Sequence, residues 1–145
     1  MDAIRPALIF AGRTGLGVTL AIVFSMVGIG LAWGAFVFSG AISWEVWFSL
    51  AVCGAGIGAG LGGFLAWLRI DGDSRSFILV TISVAVLAGV GGAWGGYQYG
   101  ANQEVACCAR PDIGPLTHTA FGATVAANGV ALLLGIVRGV GARRW

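Results

Sequence analysis

The sequence predicts an all-α integral membrane protein with four transmembrane helices. Hydrophobic residues make up 58% of the 145 residues and charged residues only 10%, whereas a soluble domain carries roughly 25% charged residues. Mean hydropathy is +0.92. Each of the charge-free segments reaches the roughly 20 residues that a helix needs to cross the hydrocarbon of a bilayer. These four segments are residues 14–44, 46–68, 76–103 and 113–137.

The charge-free segments place the spans within a single membrane domain, residues 1–145. The first apolar stretch exceeds the roughly 7 to 15 residues typical of a signal peptide, so we interpret it as a helix that is retained. The short connection 39–43 and the Asp-Gly turn in 69–76 make consecutive helices antiparallel neighbours, in a first hairpin 14–70 and a second hairpin 77–139. We predict spans at about residues 16–38, 47–68, 77–99 and 117–137.

The arginines predict how the chain is oriented. The chain has no lysine, and seven of its eight arginines fall before the first span, between the second and third spans, or after the fourth span. Arg110 alone falls on the other side. The positive-inside rule therefore places both termini in the cytoplasm and loop 101–116 on the outer side of a bacterial-type inner or plasma membrane.

One phrase occurs twice in the sequence. Residues 28–38 read GIGLAWGAFVF, and residues 89–99 read GVGGAWGGYQY. Because the first and third spans run in the same direction, duplication of one hairpin would give a parallel internal repeat about an axis along the membrane normal. The alternative is composition alone, since aromatic residues favour the membrane interface and glycine favours helix contacts. The matched aromatic residues are Trp33, Phe36 and Phe38 in the first copy and Trp94, Tyr97 and Tyr99 in the second.

Glycines spaced four residues apart predict close helix packing. Such stripes of small residues let two backbones approach each other within the bilayer. At about 100° per residue, each of the second and third spans carries two separate stripes, so both spans can contact helices on two sides. Four helices do not need all of these faces, and the surplus indicates further helices from another subunit or another copy. The predicted packing glycines are Gly54, Gly56, Gly58, Gly60 and Gly62 in the second span, and Gly91, Gly92, Gly95 and Gly96 in the third.

Four polar or reactive residues are candidates for chemistry. Cys107 and Cys108 are adjacent on the predicted oxidising side, where they are inert thiols, a vicinal or intersubunit disulfide, or soft-metal ligands. His118 at the start of the fourth span is an interfacial histidine or an axial ligand of haem or a pigment. Asn128, near the centre of that span, is expected to hydrogen-bond across helices or to line a solute path.

The residues absent from the spans narrow the range of functions. No Asp, Glu, Lys or Arg lies within any predicted span, which disfavours proton relays and charged coupling sites. We expect no enzyme activity, no catalytic residues, no metal site, no resident cofactor and no nucleic-acid binding. The leading hypothesis is an accessory or scaffold subunit whose partners are the lipid bilayer and other transmembrane subunits or further copies of itself. The alternatives are a small oligomeric channel or transporter for a neutral or soft-metal solute, and a membrane subunit that binds haem or a pigment.

Overall fold

All regular secondary structure in the described part of the chain is helical. The computed structural model describes residues 4–40, 42–67, 75–103 and 114–141, and these contain no strand. Each helix includes a stretch long and apolar enough to cross a membrane. The all-α class and the four membrane-spanning lengths are therefore confirmed. The helices are α1 (Ile4–Ser39), α2 (Trp44–Leu65), α3 (Arg75–Ala101) and α4 (Gly114–Gly141).

Helix α1 is longer than the predicted first span. It begins at Ile4 rather than near residue 16 and includes Arg13. A proline at position 6 falls in the first turn, where a helix tolerates the missing backbone N–H. The helix ends at Ser39, and Gly40 follows with a φ of +59°. This left-handed conformation, which glycine adopts without strain, is a common helix terminator.

The starts of α2 and α4 also differ from the prediction. Helix α2 begins at Trp44 because Ser43 caps it: the Ser43 hydroxyl accepts a hydrogen bond from the Val46 backbone N–H at 3.4 Å. Glu45 in the first turn adds a favourable charge at the helix N-terminus. Pro115, two residues before the predicted start of the fourth span, lies in the first turn of α4, where a helix tolerates proline.

The four helices form a bundle in which α2 and α4 are central. Each of these two helices contacts all three others, whereas α1 and α3 do not meet within the described residues. In the most apolar stretch of α2, 56% of the residues are buried, compared with 17% for α1 and 22% for α3. Helices α1 and α2 pack antiparallel and so do α3 and α4, as the predicted hairpins require. The outer helices α1 and α3 therefore present most of their surface outside the chain.

Small residues fill the centre of the bundle, and large apolar residues cover the outside. Ala55, Ala59 and Ala127 are fully buried, whereas Leu31 and Leu87 are each 71% exposed. A soluble protein would bury the leucines, but in lipid the large side chains lose nothing by facing outward. Close contact between helix backbones is thus the main packing interaction, and the glycines determine where along the helices it occurs.

Candidate functional site

One glycine stripe of α2 lies directly against α1. A Cβ atom added at Gly54 would lie 2.7 Å from the Gly28 carbonyl oxygen, and one at Gly62 would lie 2.5 Å from the Leu20 carbonyl oxygen. Between them, a Cβ at Gly58 would overlap the Phe24 carbonyl group. Real Cβ atoms essentially never come within 3.0 Å of such atoms. The two backbones therefore touch along three successive turns, which only glycine in α2 permits.

The opposite stripe of α2 lies against α3. A Cβ atom at Gly56 would lie 2.6 Å from the Val90 backbone nitrogen, and one at Gly60 would lie 2.6 Å from the Val86 Cα. Helix α2 is consequently held between α1 and α3 by two different glycine faces.

One glycine stripe of α3 contacts α4, and the other contacts no helix in the described part of the chain. Cβ atoms at Gly92 and Gly96 would overlap the backbone carbonyl groups of Gly122 and His118. By contrast, a Cβ atom at Gly91 or Gly95 would meet nothing within 4 Å. The stripe formed by Gly91 and Gly95 therefore faces away from the described bundle.

The repeated phrase is packed similarly in its two copies but is not used identically. In both copies the central alanine is buried and the following tryptophan is about half exposed, at 49% for Trp33 and 52% for Trp94. The first glycine of each copy contacts α2, but the relationship differs. For Gly28 of α1, helix α2 is the partner in the same hairpin, whereas for Gly89 of α3, helix α2 belongs to the other hairpin. The glycines of α3 that contact its own hairpin partner, α4, are Gly92, Gly96 and Gly100. The duplication stays a prediction, since the packing does not pair the glycines that the phrase pairs.

Most of the repeat aromatics join one cluster at the end of the bundle where α1 and α3 end and α2 begins. Seven rings are linked by centroid separations of 4.6 to 6.1 Å. Phe38 is 91% exposed and lies outside this cluster, and Tyr99 instead contacts His118 at 5.3 Å between ring centroids. We call the seven rings the aromatic cluster; they are Trp33, Phe36, Trp44, Trp47, Phe48, Trp94 and Tyr97.

The aromatic cluster connects the two copies of the phrase through α2. Trp33 of α1 contacts Trp47 at 5.4 Å, Trp47 contacts Phe48 at 4.6 Å, and Phe48 contacts Tyr97 of α3 at 5.8 Å. Ring pairs at these separations are worth about 0.5–1.5 kcal/mol each beyond the area they bury. The start of α2 therefore holds the ends of α1 and α3 in place.

Asn128 is buried but does not form the interhelical hydrogen bond that the sequence led us to expect. Its Nδ2 donates to the Thr124 carbonyl of the same helix at 2.9 Å, and its Oδ1 is buried without a hydrogen-bond partner. The reason is its neighbours: Oδ1 faces Gly17 of α1 and Gly63 of α2, which have no side chain to offer. Ser25 does form an interhelical side-chain bond in the core: its hydroxyl donates to the Ala55 carbonyl at 2.9 Å.

We expect Asn128→Ala to change the free energy of unfolding by less than about 1 kcal/mol. The lost bond to Thr124 lies within one helix, and its loss is offset by removal of a buried acceptor that has no partner. Unfolding of the detergent-solubilised protein by SDS titration measures this. A loss above about 2 kcal/mol would mean that Oδ1 accepts a hydrogen bond that is not among the described contacts.

His118 lies half-buried against the end of α3. The Tyr99 ring is its neighbour at 5.3 Å, and a Cβ atom at Gly100 would lie 3.2 Å from its Nδ1. Among the residues that the structure describes, no three His, Cys, Asp or Glu side chains form a group able to hold a metal ion. Cys107 and Cys108 lie outside the described residues, so the alternatives for them stay open.

Glu45 and Phe48 were not among the candidate residues predicted from the sequence. The structure places both at the start of α2, where they line a cleft together with Trp94 and Tyr97 of α3. A signal was present in the run WEVWFS, residues 44–49, because positions i and i+4 of a helix lie on one face. That spacing pairs Trp44 with Phe48.

Fold and composition define the class of this chain: an all-helical protein with four helices that are long and apolar enough to cross a membrane. Comparison of the chain with protein-family models, curated proteins and solved structures gives no match.

Proposed function

We propose that this protein is a non-catalytic accessory or scaffold subunit that packs laterally against other transmembrane helices of a larger membrane complex. The observation that carries the proposal is the outward position of four glycines in the repeated phrase. Cβ atoms at Gly30 and Gly34 of α1 and at Gly91 and Gly95 of α3 would meet nothing within 4 Å. In each helix the pair has the i, i+4 spacing that lets a second helix approach closely.

The burial of the helices supports association through α1 and α3. These two helices are the least buried of the four in their apolar stretches. A half-exposed tryptophan, Trp33 or Trp94, lies next to each outward glycine pair and adds contact area for an incoming helix. Apolar helices of this kind are compatible with lipid contact, but the glycine pairs offer lipid chains little to contact. A partner helix would gain backbone contacts there that lipid does not make.

The proposed orientation keeps both termini in the cytoplasm and loop 101–116 on the outer side of a bacterial-type membrane, on the basis of the arginine distribution. The stripes of Gly30 with Gly34 and of Gly91 with Gly95 belong to the ends of α1 and α3, and therefore to the outer half of the bilayer. Partners would dock in the outer leaflet.

We expect the double substitution Gly91→Leu and Gly95→Leu to weaken association with partner subunits at least tenfold, or about 1.4 kcal/mol. Leucine side chains on this stripe would keep a second backbone at a distance without disturbing the fold, since both positions are open. The measurement is native mass spectrometry of wild-type and variant protein extracted in mild detergent from the native membrane.

Gly129→Leu is the matched control. Gly129 also faces open space, but its neighbours one turn away, Val125 and Leu133, are large and exposed, so it forms no stripe. The proposal requires stoichiometric foreign subunits with the wild type and with the Gly129 variant, and their loss with the double variant. A monomer without partners, or equal loss in the control, would overturn it.

A second candidate, a small oligomeric channel or transporter for a neutral or soft-metal solute, is favoured by one observation. Two polar atoms of α4, Thr124 Oγ1 and Asn128 Oδ1, are buried without hydrogen-bond partners, and such atoms are rare inside proteins unless they have a role. A pure homo-oligomer in the same native mass spectrum, with solute uptake into liposomes that depends on Asn128, would favour this candidate. A visible absorbance lost in His118→Ala would instead favour haem or pigment binding.

A further inference from the structure

A cleft of about 380 Å³ opens beside the aromatic cluster, between the start of α2 and the end of α3. Four aromatic side chains form most of its wall, two from each helix. The Glu45 carboxylate, the Ser49 hydroxyl and the Val52 side chain complete it. The lining residues are Trp44, Glu45, Phe48, Ser49, Val52, Trp94 and Tyr97.

The contacts among the rings hold this wall in one arrangement. Phe48 contacts Trp44 edge-on at 5.1 Å and Tyr97 at 5.8 Å, which ties the α2 side of the cleft to the α3 side. Tyr97 in turn contacts Trp94 at 6.1 Å. Neighbouring rings restrict one another's rotation, so the cleft is formed before a ligand enters.

Glu45 is the only charged residue of the cleft wall, and no ion-pair partner for it is found in the described part of the chain. The Ser49 hydroxyl is already engaged, since it donates to the Glu45 backbone carbonyl at 3.1 Å. The cleft therefore offers an incoming ligand one negative charge and several aromatic side chains.

We propose that this cleft binds an organic ammonium cation, of the kind carried by choline and ethanolamine groups. The faces of aromatic rings are electron-rich and attract such cations, and aromatic cages are a recurrent way of recognising quaternary ammonium. Glu45 supplies the opposite charge. An anion would be repelled by Glu45, and a bare divalent cation would need several oxygen ligands where the cleft has a single carboxylate. The site lies within one chain, so the inference goes beyond the proposed function and does not depend on it.

The test measures the affinity of choline by isothermal titration of the full-length protein in a maltoside detergent, which has no ammonium group. The neutral probe 3,3-dimethylbutan-1-ol has the shape of choline with carbon in place of the charged nitrogen. We expect choline to bind at least tenfold more tightly than this alcohol. We also expect Glu45→Gln and Trp94→Leu each to weaken choline binding about five- to tenfold, as loss of roughly 1 kcal/mol implies.

Trp33→Leu is the matched control, because Trp33 has the equivalent place in the first copy of the phrase, is equally exposed, and does not line the cleft. It should leave choline affinity within twofold. Unchanged thermal midpoints for the Glu45 and Trp94 variants would show that lost affinity is not lost folding; Glu45→Asp, which keeps the charge, should retain most of the affinity in any case. Equal binding of choline and its neutral analogue, or equal effects of the Trp33 and Trp94 substitutions, would overturn the proposal.

The source of the cation is distinguished in lipid nanodiscs. If a lipid headgroup is the ligand, choline should bind more weakly in nanodiscs of phosphatidylcholine than in nanodiscs of digalactosyldiacylglycerol, because the choline headgroups compete; the galactolipid is uncharged, so it does not itself concentrate cations at the surface. If a soluble cation is the ligand, the two affinities should agree. Absence of choline binding in both nanodiscs and detergent would overturn the site itself.

Discussion

Replacing Gly58 by leucine is expected to reduce the free energy of unfolding by about 3 kcal/mol or more, at the upper end of the cost of overpacking a core. A Cβ atom alone would overlap the Phe24 carbonyl and lie 2.8 Å from the Ser25 backbone nitrogen. Both are backbone atoms, which cannot move aside as a side chain can. Helices α1 and α2 would therefore have to separate, and the neighbouring hydrogen bond from Ser25 to the Ala55 carbonyl would be lost with their contact.

The control for this prediction is Gly15→Ala in α1. A Cβ atom at Gly15 would meet nothing within 4 Å, so alanine should stabilise the helix by about 0.5–1 kcal/mol through its higher helix propensity. SDS titration of the two variants in the same mixed micelles measures both effects. If Gly58→Leu unfolds at the same SDS fraction as the wild type, the close approach of α1 and α2 is wrong.

The hydropathy pattern of the sequence predicts the four helices but not where they end, and the reason is physical. Hydropathy reports which residues prefer lipid, whereas a helix continues for as long as its backbone bonds are made. Helix α1 therefore begins at Ile4, whereas the charge of Arg13 set the start of the predicted span. The starts of α2 and α4 depend on single residues: Ser43 caps α2, and Pro115 suits the first turn of α4.

The glycine spacing predicted which residues share a face but not which face meets another helix. The stripe of Gly54, Gly58 and Gly62 and the stripe of Gly91 and Gly95 have the same spacing, yet among the described residues only the first contacts another helix. The difference depends on how far each helix is rotated in the bundle, which is a property of all four helices together.

For the polar and aromatic residues too, the sequence predicted the position of a residue along its helix but not its contacts with other helices. That Asn128 is buried followed from its position in an apolar span, but its lack of a partner across the interface depends on Gly17 and Gly63 lying opposite. Similarly, Trp44 is of a residue type that favours the membrane interface, which the sequence alone indicates. Only the packing of α2 against α3 brings Phe48 to Tyr97 and so creates the cleft.

We expect Trp47→Ala to lower the free energy of unfolding by about 3 kcal/mol, the lower end of the usual cost of truncating a buried tryptophan. Trp47 is only 3% exposed and contacts four other rings of the aromatic cluster. Transfer from water contributes little because the reference environment is lipid; the cost comes from the cavity and the lost ring contacts. Phe38→Ala is the control and should stay within about 0.5 kcal/mol, since Phe38 is almost fully exposed.

Trp47→Phe separates the ring contacts from the indole N–H. The Trp47 Nε1 is buried without a hydrogen-bond partner, and an unsatisfied buried donor costs about 1–3 kcal/mol. Phenylalanine keeps an aromatic ring in the cluster and removes that donor, so the variant should lose much less stability than Trp47→Ala and should lie within about 1 kcal/mol of the wild type. The comparison uses the same SDS titration together with near-ultraviolet circular dichroism, which reports on the packing of the remaining rings. Equal losses for the two variants would mean that the N–H donates to a water or a lipid at this end of the bundle, and that the aromatic cluster is held by that bond rather than by its ring contacts.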